Sequence, residues 1–342
     1  MKDCIFPMAL SLVYGPKKCR AILEVVNDDD ALRARSLAPD DWDARLANAE
    51  ALLVRQKEMG ITSLPWGSTH YPSLLREIPD PPTVLHVKGS LPDMRRSLAV
   101  VGTRRPTPQG KLNTAFWIES LAGTGACVVS GLAMGVDAEA HRAAMQRGSP
   151  TVAVLAHGLD EIHPRKNTGL AQEIVSAGGA LVSEHPIGRA PTQGAFPQRN
   201  RIIAGLSQAT LVVEAAIKSG AGITANMAFQ YHREVWAIPG RPSDVMAQGC
   251  LDLVARQVAQ MCVHPSQMVE ALGWESQERS KVAERSPTLQ QVVGAMLGGG
   301  KRLPDLVSAT GLSDQQILEA LGELIWQGRI HVQSGTYALK SK

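Results

Sequence analysis

Ser97-Leu98-Ala99-Val100-Val101-Gly102-Thr103-Arg104-Arg105-Pro106 is the stretch on which the fold turns. A continuous apolar run closes on a glycine and a basic loop, and a helix-length segment follows. The same phrase recurs at Cys127–Ser130, Thr151–Leu155, Ala180–Ser183, Thr210–Glu214 and Val235–Ile238. Six alternations of short β-rich run and helix predict an α/β chain: an extended Rossmann-like, mostly parallel sheet with helices on both faces. Runs that are apolar throughout, without a polar alternate, fit strands covered on both sides. Ligands of such sheets bind beyond the carboxyl ends of the strands, so the residues just after each run carry the functional reading.

Outward from this region the pattern changes on both sides. Residues 1–80 read as short helices. Pro7 to Glu24 is interrupted by Gly15-Pro16, and Asp40 to Met59 places Trp42, Leu46, Ala49, Leu53 and Val54 on one helical face. Pro79-Asp80-Pro81-Pro82 is a stiff candidate boundary, which gives the α/β domain residues 81–272. A polar linker over 273–286 then leads to a module at 287–342. There Leu289–Leu297, Leu303–Thr310 and Ser313–Gln327 read as helices, and Arg329–Val332 with Thr336–Leu339 as a hairpin turning at Ser334-Gly335. Three helices closed by a hairpin suggest a winged-helix-like domain. Its third helix opens with Ser313 and Gln316 in capping-box spacing. That helix carries Asp314, Glu319 and Glu323 but no Lys or Arg, which argues against major-groove reading.

Composition narrows the function classes. The chain has 342 residues with 35 basic against 32 acidic, a net charge of +3, so any polyanion site is local rather than global. Hydrophobic residues at 44% and charged ones at 20% describe a folded chain. No apolar run reaches the roughly 20 residues of a membrane span. Met1-Lys2-Asp3-Cys4 opens no secretory signal, and five scattered cysteines without C-x-x-C suit reduced thiols in a cytoplasmic setting, not a disulfide framework or a thiolate metal site.

At the strand ends, Leu85–Ala115 carries a local excess of five positive charges, with Arg104 beside an expected helix start, a place suited to phosphate. Ser130-Gly131-Leu132-Ala133-Met134-Gly135-Val136-Asp137 offers small residues through which backbone N–H groups reach an anion, although it is not G-x-G-x-x-G. Asp137 and His141, four apart, read as a hydrogen-bonded pair fixing their helix in preference to metal binding or acid–base work. His163-Pro164-Arg165-Lys166-Asn167 is a further basic loop. Ser183, Glu184 and His185 are adjacent on a strand end and so cannot form a triad with one another. Phe196-Pro197-Gln198-Arg199-Asn200-Arg201 sets a ring, two guanidiniums and an amide at one helix entrance. Bases stack on an aromatic face while arginines track phosphates, although Phe196 is equally readable as a core residue. Lys218-Ser219-Gly220 then leads into another helix start.

Taken together and in order, these strand ends resemble the DNA-processing protein A family (DprA/Smf). The marks are Val101-Gly102-Thr103-Arg104, Ser130-Gly131-x-Ala133-x-Gly135-x-Asp137-x-x-Ala140-His141, His163-Pro164-x-x-Asn167, Phe196-Pro197-x-Arg199-Asn200-Arg201 through Ser207, Val213-Glu214-Ala215, Lys218-Ser219-Gly220 and Ile238-Pro239-Gly240. The match is dense over about residues 60–265. Three positions depart from the usual pattern: Thr103, Ala221-Gly222 before Ile223-Thr224, and Leu251 after Gly249-Cys250. The resemblance implies a dimeric, non-catalytic protein without cofactor or metal, with a small helical domain (SAM or helix–hairpin–helix-like) at 1–80. It implies binding of single-stranded DNA, protection of incoming DNA in natural transformation, and loading of the recombinase RecA. It points to Arg104, Lys166, Phe196, Arg199, Asn200, Arg201 and Lys218 as DNA-binding residues, with Ser130, Gly131 and Gly220 shaping the floor.

Two enzyme readings compete with it. A phosphoribohydrolase-like nucleotide hydrolase needs a carboxylate at the glycine-rich helix start. Residues 215–233 contain none, which leaves Glu184 and Glu214 as substitutes. A NAD-dependent dehydrogenase lacks its glycine fingerprint.

Overall fold

The computed structural model describes residues 2–26, 39–274, 287–297, 299–326, 329–333 and 335–339. The chain separates into two compact units, Met1–Val263 and His264–Lys342.

In the first unit nine strands form one sheet: β1 (Ile61–Pro65), β2 (Val84–Gly89), β3 (Ser97–Val101), β4 (Cys127–Ser130), β5 (Thr151–Leu155), β6 (Ala180–Ser183), β7 (Ala209–Val212), β8 (Glu234–Ala237) and β9 (Gln260–Met261). Their order is β1-β2-β6-β5-β4-β3-β7-β8-β9. From β6 to β9 every neighbouring pair is parallel, whereas β1 and β2 join antiparallel at one edge. All six strands read from the sequence are present, within two residues at each end.

Both sheet faces are covered, and the strand residues divide accordingly. Val152 and Val154 of β5 join Ala180 and Val182 of β6 in a core with Ile202, Ile203 and Ala225. Their neighbours Ala153, Leu155 and Leu181 point the other way, into a core with Ala138, Leu170 and Ile174. A period of two with apolar residues at both phases requires helices above and below. Helices Ala195–Gly205 and Gly220–Gln230 lie on the first face, Val136–Gln146 and Thr168–Ser176 on the second.

The amino-terminal helices Pro16–Leu23 and Trp42–Glu58 form where the periodicity places them, with Pro16 at a first helical position, whereas the helix before them, Lys2–Ser11, begins ahead of the expected start at Pro7 and carries that proline inside. They pack around Trp42, Met8, Leu10 and Cys19, and their core reaches Val84 of the sheet. The segment that follows is not helical throughout, however. Ile61–Pro65 pairs antiparallel with Val84–Gly89, so Pro79–Pro82 lies in the connection between two paired strands. Gln56 ties the join: its amide donates to Ser63 Oγ at 2.9 Å and its carbonyl accepts from the Ile187 N–H at 3.1 Å. Residues 1–80 and the sheet therefore make one compact unit, unlike the division expected at 80/81.

The second unit holds helices Pro265–Ala271, Pro287–Met296, Leu303–Thr310 and Asp314–Trp326 and a small sheet ordered β10 (Lys301–Arg302), β12 (Thr336–Leu339), β11 (Ile330–Gln333). Leu289, Val292, Leu306, Ile317, Leu321 and Leu324 form its core. Ser313 and Gln316 make the expected capping box, the Gln316 N–H donating to Ser313 Oγ at 3.3 Å and the Ser313 N–H to Gln316 Oε1 at 3.1 Å. Of the expected linker, 275–286 lies outside the described residues, as does Ser334 of the hairpin turn.

Candidate functional site

The chain order reverses between β3 and β7. From β3 the chain steps outward through β4, β5 and β6, then crosses back to begin β7 on the other side of β3. Beyond the carboxyl ends of two such strands their loops diverge and leave a crevice. The Thr103 N–H donates to Glu214 O at 2.8 Å, closing the base of that crevice. A cleft of about 270 Å³ opens above it, lined by Gly102, Thr103, Arg104, Asn200, Ser219 and Gly220 among others. Helix Gly220–Gln230 begins here, with Ser219 Oγ accepting the Gly222 N–H at 3.2 Å. The free N–H groups and partial positive charge of a helix start suit an anion.

Arg104 is exposed and stands with its guanidinium carbon 5.7 Å from the centre of the Phe196 ring. Phe196 is half-buried, so the ring is neither sealed in the core nor loose on the surface. Asn200 reaches across the cleft mouth and donates to Gly220 O at 3.2 Å. Lys218 is exposed and lines a neighbouring cavity of about 820 Å³ with Asn226, Gln230 and Arg256; the two cavities share Ala216, Ser219 and Gly220. Lys166 is exposed on the 3-10 turn Arg165–Asn167. That turn is anchored by Asn167, whose amide donates to Leu132 O at 2.8 Å and Ala133 O at 3.2 Å. Ser130 lies beneath, fully buried, with its hydroxyl donating to Val100 O at 2.7 Å.

Two arginines expected to face phosphate are turned inward. Arg199 is only 5% exposed and donates through Nη1 to Gly131 O at 2.6 Å and also to Val154 O. Burial lowers its pKa to about 10, against the opposing pull of nearby Asp137. A Cβ on Gly131 would lie 2.5 Å from this guanidinium, so the glycine is required by the arginine that lies on it. Arg201, also 5% exposed, pairs through Nη2 with Glu184 at 2.5 Å and through Nε with Asp80 at 3.3 Å. Its side chain joins the proline-rich connection, the end of β6 and helix Ala195–Gly205. Two residues apart, the two arginines point to nearly opposite sides of a helix whose residues 201–205 are all buried, Arg199 toward strand-end carbonyls and Arg201 toward carboxylates.

The carboxylates of the hydrolase reading are similarly engaged. Glu184 holds Arg201. Glu214 braces Thr107, the N-cap of helix Pro108–Glu119, by accepting from its hydroxyl at 2.5 Å and its N–H at 3.0 Å. Asp137 lines the cleft but accepts from the Gly131 N–H at 3.1 Å and the Ala133 N–H at 3.3 Å, and burial raises its pKa. It makes no bond to His141, contrary to the expected pair. The His141 Nδ1 instead meets the Thr151 hydroxyl at 2.7 Å, and burial takes its pKa down to about 3.

The sequence did not single out Ser219 or Thr103 as lining residues, nor His163 as a neighbour of the ring. The cap spacing of Ser219 before Gly222 was the available signal for the first. Among the described residues no group of three or more His, Cys, Asp or Glu side chains could hold a metal, and no helix is long and apolar enough to cross a membrane.

Protein Smf of Synechocystis is 44% identical over 209 residues, covering 59% of this chain and 52% of that one. The DNA processing protein DprA of Bacillus subtilis is 40% identical over 205 residues, 59% of this chain and 69% of that one. The chain thus spans about half the length of the Synechocystis relative. Among solved structures, DNA processing protein A of Streptococcus pneumoniae superposes with a TM-score of 0.65 at 31% identity, over 79% of this chain and 94% of that one. DNA processing protein A of Helicobacter pylori, whose structure describes a single-stranded DNA binding mode, gives 0.56 at 31% identity over 62% and 95%. Residues 62–273, from the first sheet strand through helix Pro265–Ala271, match the model of the DNA recombination-mediator protein A family, and to that family this chain belongs.

Proposed function

We propose that this protein binds single-stranded DNA at the β3/β7 crevice and catalyses no reaction there. The observation that carries this reading is the Arg104 guanidinium over the half-exposed Phe196 ring, at the mouth of a cleft floored by a helix start. A cation and a flat ring at one spot serve phosphate and base together, without selecting a sequence. Arg104, Lys166, Phe196, Asn200 and Lys218 face the strand. Arg199 and Arg201 act from inside by fixing the helix that presents Phe196 and Asn200, with Ser130, Gly131 and Gly220 forming the floor. Glu184, Glu214 and Asp137 are each held by hydrogen bonds or an ion pair, which supports binding over hydrolysis.

Membership of the family and the single-stranded DNA binding mode described for the Helicobacter pylori protein support the same assignment. On that footing the chain serves DNA processing in natural transformation, acts as a homodimer and delivers its strand to the recombinase RecA. The helices and small sheet of the second unit support a winged-helix-like module, whose acidic third helix suits protein contacts better than duplex DNA. A gel-shift comparison of single-stranded with duplex oligonucleotides, run beside a sizing column, tests the central claim. Preferential shift of the single strand is expected. Equal affinity for duplex, or release of ribose from nucleoside monophosphates, overturns it.

A further inference from the structure

The Phe196 ring has a second neighbour. The His163 imidazole lies with its centre 6.1 Å from that of Phe196, tilted by 50°. Its side chain is exposed, and its ring nitrogens make no hydrogen bond with the described residues. The backbone beneath it is fixed at both ends of the turn. The His163 N–H donates to Nε2 of His157 at 3.2 Å, and Nδ1 of that buried histidine meets Gly158 O at 2.8 Å. Gly158 O can only accept, so Nδ1 of His157 carries the proton and Nε2 is left as the acceptor. At the other end Asn167 holds the turn to Leu132 O and Ala133 O. The result is an exposed aromatic ring on an anchored backbone, with the His157 and Phe196 rings beside it.

Resting on the function proposed above, we infer that His163 is a second base-contacting plate, taking the nucleobase next to the one on Phe196. The spacing gives the strand its conformation. A ring separation of 6.1 Å exceeds the ~3.4 Å rise per nucleotide of a stacked strand, so adjacent bases on the two rings are drawn apart. The 50° tilt prevents one base from lying flat on both. Two splayed neighbouring bases are available in an extended single strand and not in a duplex. Because the turn is already anchored, little ordering cost offsets the contact.

The test compares the full-length protein with His163→Ala and His163→Phe by fluorescence anisotropy with a labelled oligothymidylate at several salt concentrations. Thermal melting serves as the check on folding. His163→Ala is expected to weaken binding about 5- to 150-fold, the range of one base–aromatic stack, with the salt slope unchanged. His163→Phe, which keeps a ring, is expected to bind within about threefold of the parent. The parent's His163 Hε1 proton resonance, assigned by its absence in His163→Phe, is expected to move upfield when oligonucleotide is added. A parent-like His163→Ala, a His163→Phe as weak as alanine, or an unmoved resonance in the bound parent each overturns the inference while leaving DNA binding in place. A parent that binds no single strand overturns the functional reading and this inference with it.

Discussion

The loop after β3 and the helix Ala195–Gly205 both bring arginine to the same crevice, and they use it in opposite ways. Arg104 leaves its guanidinium in solvent over a ring, where it remains available to a ligand. Arg199 and Arg201 spend theirs on carbonyls and carboxylates inside the protein. The difference lies in what each backbone position faces. The loop beyond the strand end leaves Arg104 exposed, whereas helix Ala195–Gly205 is buried on more than one side and encloses both of its arginines. A positive residue near a polyanion site can thus be a ligand contact or a brace, and the acceptors around it decide which.

Truncating Arg201 removes the brace. Arg201→Ala leaves Glu184, 12% exposed, without its partner, and is expected to lower unfolding free energy by about 3–5 kcal/mol in denaturant titration. An unchanged midpoint would place Arg201 among the solvent-facing cations instead. The buried histidines extend the contrast to protonation. His86 and His141 each have a pKa depressed to about 3 by burial, so the unfolded chain binds protons that the folded chain refuses. Stability is complete above the ordinary histidine value and falls as pH drops from about 6.5 toward 3, by about 2 kcal/mol per histidine at pH 5. Melting at pH 7 and pH 5, in the parent and in His141→Gln, reads this out; the variant is expected to lose less on acidification.

On the ligand side, Phe196→Ala is expected to weaken single-strand binding by about 1–3 kcal/mol with its salt dependence intact. Arg104→Ala is expected to weaken binding for every sequence and to reduce the salt slope by about 0.7, one phosphate contact, while stability stays within about 0.5 kcal/mol. If Arg104→Ala unfolds the protein and Arg201→Ala does not, the roles are reversed. The smallest effect is expected from the helices and small sheet that begin at Pro287: a chain ending at residue 274 should match the full chain in duplex affinity within about twofold, since helix Asp314–Trp326 carries no basic residue.

The parallel strands were legible because each is a local signal, an apolar run ended by a turn. Strands β1 and β2 were not. Ile61–Pro65 is short, sits at the sheet edge and ends in proline, and its pairing with Val84–Gly89 is a long-range choice that no local pattern records. The crevice residues were legible as a set, since topology places strand ends together. The orientations of Arg199 and Arg201 were hidden because their acceptors, Gly131 O, Val154 O, Glu184 and Asp80, come from four other parts of the chain. The expected Asp137–His141 bond failed for a related reason. Asp137 sits at the start of its helix, where the Gly131 and Ala133 N–H groups compete for the carboxylate and win.

The missing side chain at position 131 has a genetic corollary. Its space is occupied by the residue at 199, so what position 131 can carry is conditioned by a distant codon. In a randomised library, bulk at 131 should survive only beside a shortened 199, whereas a shortened 199 is sterically free to keep glycine at 131.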